Sequence, residues 1–157
     1  MTTAFSTSIG TSQNGSKIVL SGYLNEVATL PAMKKEQNLT IDLDAIVGLN
    51  SIGTRKWCQW IAECSNLYEK ITLENCPVIF VKTFNQITDS LTDKCSVSSV
   101  KIPFYSDAID ERKMVVLHLG KDYSFDGLFQ VPQIKDSTGN LMEIDIITEN
   151  FFNFMKK

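Results

Sequence analysis

His118 is the only histidine in the chain, so any Ser-His-Asp or Cys-His mechanism has to run through it. It lies in the run VVLHLG, where a packed or edge histidine is the expected reading, and no nucleophile motif surrounds it. The four cysteines, Cys58, Cys64, Cys76 and Cys95, are spaced by 6, 12 and 19 positions. That spacing holds no C-x-x-C, so it signals neither a zinc knuckle nor a redox pair, and the thiols read as inert. Asp42 and Asp44 alternate along one run and Glu143 and Asp145 along another. Paired carboxylates could do acid–base work, but Asp44 reads as a solvated turn residue near the strand end, Asp42 as buried only if hydrogen-bonded, and Glu143 and Asp145 as a solvated strand face. No Walker loop, G-x-G-x-x-G or H-E-x-x-H occurs. The chain is therefore expected to be no enzyme, with no catalytic residue, no cofactor and no metal.

The most informative stretch is NLTIDLDAIVGLNSIGTRKW, residues 38–57. Leu39, Ile41 and Leu43 alternate with polar residues at the period of a strand. Asn50 and Ser51 can each cap a helix, because a short side-chain oxygen accepts from the free N–H groups of the first turn. From Ser51 to Tyr68, Thr54, Trp57, Cys58, Ile61, Cys64 and Leu67 recur at helical spacing. Trp60 lies off that stripe: a ring packed over the helix shoulder is the simpler reading, an anchor for a partner the sharper one.

Around this unit, residues 4–9 and 17–21 are β-like and flank Asn14-Gly15, a strong hairpin signal because both positions tolerate positive φ. A loose Ser/Thr-rich arm over residues 1–8 is the competing reading. Residues 22–33 read as a loop and short helix, with Pro31 starting or ending it. Residues 70–76 make a further strand. Pro77 opens a second helix whose one face carries Phe80, Val81, Phe84, Ile87 and Leu91. Residues 97–105 form the next strand, which Pro103 should place at an edge or bring to an end. Residues 114–119 and 141–146 are β-like, and Thr148 can cap a short helix bearing Phe151, Phe152, Phe154 and Met155. Those aromatics are expected to dock on the main body, since the tail has little core of its own.

At 157 residues and 43% hydrophobic, the chain is the size of one ordinary domain with an appendage, and it can bury a core. A net charge of -3 with scattered basic residues argues against nucleic-acid binding. No signal peptide and no membrane-spanning run is visible, so a soluble, cytoplasmic protein is expected. Alternation of strands and helices with short links gives an α/β layered fold with parallel pairing.

The stretch IDLDAIVGLNSIGTRKW, preceded by SG-x-L-x-E at residues 21–26, resembles the STAS domain of bacterial anti-sigma-factor antagonists and sulfate-transporter tails. The antagonists carry an apolar strand followed by Asp-Ser-Ser-Gly-Leu opening a helix, where this chain has Asn50-Ser51-Ile52-Gly53-Thr54. The resemblance covers residues 5–105. It implies a mixed sheet with helices packed on it, and a switch whose phosphoacceptor directly precedes the glycine. Ile52 stands there, so the usual acceptor is missing. Ser51 reads as a cap worth about 1 kcal/mol rather than as a phosphosite.

Residues 106–157 resemble, less closely, the cysteine-bearing ribbon that follows the fourth strand in some bacterial STAS-like proteins. Pro103-Phe104-Tyr105-Ser106 and Thr138–Asp145 keep the frame. The positions that would hold metal ligands carry Ser106, Ile109, Lys135 and Thr138, which are no zinc set. A β-hairpin and short helix held by packing are implied, with the boundary between the two parts after residue 105.

The expected function is a non-enzymatic protein-interaction module in bacterial partner-switching signalling. Its partner would be a kinase-type anti-sigma factor or another signalling protein, and homo-oligomerisation is left open. The binding surface would comprise Tyr23, Asn25, Glu26, Asn50, Ser51, Ile52, Gly53, Thr54 and Arg55. The alternative is a nucleotide or anion sensor, because helix N-termini attract anions.

Overall fold

The computed structural model describes residues 3–156. Five strands form the first sheet in the order β1-β2-β3-β4-β6: β1 (Ser6–Ser12), β2 (Gly15–Leu24), β3 (Asn38–Leu49), β4 (Lys70–Glu74) and β6 (Cys95–Val97). β1 runs antiparallel to β2, and the remaining neighbours are parallel. Helices α1 (Ser51–Leu67) and α2 (Val78–Gln86) provide the crossovers. The fold is thus mixed α/β, with two helices packed on a mixed sheet.

A second sheet grows from the first. β5 (Cys76–Pro77) continues β4 after Asn75, whose φ of 54° bends the chain, and β7 (Ser99–Ser106) continues β6 after Ser98. β8 (Glu111–His118) pairs with β7 along its whole length, and β9 (Glu143–Ile144) pairs with the far end of β7's other side. The boundary expected after residue 105 falls inside β7.

The core forms because strand alternation and helical periodicity meet on one face. Ile18, Leu20, Ile41 and Leu73 from the sheet enclose Trp57, Ile61 and Cys64 from α1 and Phe80 and Phe84 from α2. The Trp57 and Phe80 rings meet edge to face at 4.9 Å. The opposite face is polar: Lys17 lies 3.1 Å from Glu74 and 4.0 Å from Asp42. Asp42, half-buried, also accepts from Asn75 Nδ2 and from the Asp44 N–H. The tail docks as expected. Phe154 packs on Phe84, and Asn85 donates to the Phe151 carbonyl while accepting from the Phe154 N–H.

Five expectations are corrected or decided by the structure. First, the hairpin closes through Gln13 and Asn14, with Ser12 opposite Gly15; only Asn14 has positive φ, at 60°. Gly15 is needed for another reason, since a Cβ there would sit 1.7 Å from the Asn38 carbonyl oxygen. The Ser/Thr-rich segment is strand from Ser6 onward, and residues 1 and 2 of the alternative arm lie outside the described residues. Second, residues 25–37 contain no helix, because β2 runs on to Leu24 and the loop is held by side chains from α1. Third, Trp60 takes the simpler of its two readings, a packed ring: it is 5% exposed and its indole N–H donates to the Pro31 carbonyl at 2.7 Å. Fourth, β7 neither ends at Pro103 nor lies at an edge. Pro103 sits between the end of β5 and the start of β9, so its missing N–H costs no ladder bond, and its carbonyl accepts from Asp145. Fifth, α2 stops at Gln86, so Ile87 and Leu91 lie beyond it and Ile87 is exposed.

The tail's own organiser is Asp136, a buried carboxylate. One oxygen accepts from the Thr138 N–H, the Thr138 hydroxyl and the Asn140 N–H; the other accepts from Ser106 Oγ and Asn140 Nδ2. Ser106 and Thr138, two positions of the ribbon frame, therefore meet on a carboxylate, while Ile109 and Lys135 are exposed. The Ser106 hydroxyl first, then the Asn140 and Thr138 donors, hold the Asp136 carboxyl far below the usual carboxylate range despite the opposing cost of desolvation. A carboxyl whose folded pKa is depressed stabilises the protein above its unfolded value and loses that contribution as pH falls toward the folded one. Asp136→Asn, which cannot accept from all these donors, should lower Tm at neutral pH. It should also flatten the fall in Tm on acidification below about pH 4. Identical acid slopes for the variant and the wild type in thermal melts would remove Asp136 from this role.

Candidate functional site

Strand β3 and helix α1 are joined by one residue, Asn50, and this junction seats on the end of β2. The Asn50 N–H donates to the Leu24 carbonyl at 3.2 Å. Asn50 is the helix cap: Oδ1 accepts from the Gly53 N–H at 2.9 Å, and its carbonyl accepts from both the N–H and the hydroxyl of Thr54. Ser51, expected as the cap, is instead the first residue of the helix. Its side chain is exposed and forms no hydrogen bond among the described residues. Asn50 offers both an acceptor to the helix and a donor to Glu26. Gly53 is buried against β2, where a Cβ would come 1.9 Å from the Leu24 oxygen.

The loop after β2 closes the junction from the other side. Asn25 Oδ1 accepts from the Val27 N–H, and the Asn25 carbonyl accepts from Ala28, making a tight turn. Glu26 Oε2 accepts from Asn50 Nδ2 at 2.8 Å. Its own backbone N–H and then the Asn50 amide lower the Glu26 pKa, so the group is a carboxylate at neutral pH. Lys56 Nζ bridges the Glu26 and Ala28 carbonyls. Tyr23 lies one step back on β2, half-buried, with its ring against Gly48.

The residues expected as one surface are therefore brought together, with different duties. Asn25, Glu26, Asn50, Gly53 and Thr54 are consumed in building the junction. Ser51, Ile52 and Arg55 face solvent, Ile52 being 41% exposed, and Arg55 makes no ion pair among the described residues. Two contributors escaped the sequence reading. Lys56 is half-buried and stitches the loop, and Val27, held in the same turn, is 80% exposed. The signal that could have found Lys56 is helical spacing: Ile52 and Lys56 are four apart on one face.

The remaining titratable groups lie elsewhere. His118 is exposed at the end of β8, where its backbone N–H donates to Asp122. All four cysteines are free; burial pushes the Cys64 thiol up to about 12 and raises Cys76, Cys58 and Cys95 as well. Asp44 pairs with Lys101 at 2.8 Å and Asp145 with Arg112 at 2.7 Å. Among the described residues no helix is long and apolar enough to cross a membrane. Compared with family models, curated proteins and solved structures, the chain matches none.

The junction makes two stability predictions. Asn50→Ala should cost about 1 kcal/mol for the lost cap in urea unfolding, with Ser51→Ala close to neutral. Equal losses would return the cap to Ser51. Gly53→Ala should cost roughly 1–3 kcal/mol or more through overpacking against the Leu24 carbonyl, at an exposed-looking sequence position where alanine ordinarily favours a helix.

Proposed function

We propose that this chain is a non-enzymatic, cytoplasmic protein-interaction module of the STAS type, acting in bacterial partner-switching signalling with the first turn of α1 as its docking point. The observation that carries the reading is the division of labour at that turn. The turn is held from within the chain, through Asn50, Glu26 and Lys56. What remains outward is a mixed patch of Val27, Ser51, Ile52 and Arg55, which makes no ion pair among the described residues. A pre-ordered patch loses little conformational entropy on binding, which favours a specific protein partner. Apolar side chains beside a guanidinium suit a partner surface with an apolar recess and an acidic rim.

The anion-sensing alternative gains no support from the geometry. The Glu26 carboxylate lies beside the helix N-terminus, where it repels a second negative group. The same carboxylate disfavours phosphate on Ser51, so docking is read as independent of serine phosphorylation at this loop.

Affinity capture from the source cell tests the docking point. Ile52→Asp and Arg55→Glu should each lose the partner recovered by wild type, while Lys121→Glu on the far β8 turn keeps it. Recovery of the same partner by all the variants would refute the surface. After incubation with the cognate kinase and ATP, mass spectrometry should find no phosphate on Ser51 or Thr54.

A further inference from the structure

β1 is the free edge of the five-stranded sheet, and among the described residues no strand pairs with its outer side. Edge strands are usually guarded against pairing by charge, proline or a bulge. The β1 sequence STSIGTS has neither charge nor proline, and its register with β2 is unbroken from Ser6↔Ser21 to Ser12↔Gly15. Ile9 lies opposite Ile18, which is fully buried, so it stands on the core face of the sheet, yet it is 53% exposed.

The direction of the unused backbone groups follows from the sheet. The Asn38 N–H donates to the Asn14 carbonyl at 3.2 Å, so Ser16, Ile18 and Leu20, which share its parity, turn their backbone groups toward β3. Their antiparallel partners on β1, Thr11, Ile9 and Thr7, then point N–H and C=O to the free edge, because hydrogen-bonded and non-bonded pairs alternate. The strand also reads nearly the same in both directions about Ile9: Ser6-Thr7-Ser8 mirrors Ser12-Thr11-Gly10.

We propose that β1 pairs antiparallel with β1 of a second copy of this chain, about a twofold axis at Ile9, joining two five-stranded sheets into one. In that register Ile9 faces Ile9 of the other copy and Thr7 faces its Thr11, and each pair brings two outward-pointing sets of backbone groups together. Cross-strand threonine pairs and apposed β-branched residues are favourable neighbours. A slip of one position sets outward groups against inward ones, and a slip of two leaves isoleucine opposite threonine. The parity of the hydrogen bonds and the near-palindrome therefore select the same alignment. Such an interface is isologous, closing at two copies. An uncharged strand that is its own complement fits itself better than it fits a partner chosen by charge.

Sedimentation velocity of the full chain over a concentration series tests the proposal, with Ile9→Lys and Ile9→Asp as variants. Wild type should reach twice the chain mass at the upper end. Each variant, which sets like charges against each other across the axis, should stay monomeric, with unchanged circular dichroism and the Tm of dilute, monomeric wild type. An equimolar mixture of the two should recover the double-mass species. A wild type that is monomeric throughout, dimers that persist in both variants, or a mixture that stays monomeric would each overturn it. A monomeric wild type that takes up an unrelated extended peptide along β1 would overturn it in favour of strand donation by a different protein.

Discussion

The Leu24 carbonyl is the point on which the organisation of the molecule turns. It accepts from the Asn50 N–H and lies so close to Gly53 that no Cβ can be placed there. One oxygen thus fixes where β2 stops, where β3 hands over to α1 and how near the helix comes to the sheet. Trp57, one helical turn after Gly53, is delivered into the core against Phe80, and the indole N–H finds the Ser90 carbonyl at 2.8 Å. Had α1 been held further from β2, the two aromatic rings could not meet, and a buried indole donor would be left unpaired at a cost of about 1–3 kcal/mol.

The exposed turn of α1 inherits its shape from the same contact. A surface loop ordinarily keeps conformational freedom, but here the loop and the helix are pinned to one another. The pinning uses main-chain carbonyls at residues 26 and 28 and the single carboxylate of Glu26. The side chains left outward are therefore free to vary without disturbing the junction, whereas the residues facing inward are not. Structural and outward-facing residues are thus separated within six consecutive positions, Asn50 to Arg55.

Much of the architecture could be read from residue order alone. Residues 38–68 switch from a period of two to a helical period within a few positions, so strand and helix were both legible, as were α2 and the docking tail aromatics. The misreadings share a cause: they concern segments whose conformation is decided by groups far away in sequence. Residues 25–37 lack a helix because Lys56 and Trp60 occupy their carbonyls, some 28 to 30 positions on. Pro103 sits comfortably inside a sheet because a gap between two short strands falls beside it. The cap is Asn50 rather than Ser51, and Asn50 also donates to Glu26, 24 positions earlier. The grouping of Tyr23, Asn25 and Glu26 with Asn50–Arg55 was legible only through resemblance, since periodicity carries no information on which loop meets which helix.

The docking of the tail on α2 has a consequence for how the chain reaches this state. Asn85 is bonded to Phe151 and Phe154, residues 66 and 69 positions later. During synthesis at roughly 5–20 residues per second, α2 emerges several seconds before the aromatics that cover its end. Throughout that interval the contact of Phe84 with Phe154 is not yet made. Contacts synthesised well after α2 thus help to close the core, and the end of α2 waits for them on the nascent chain.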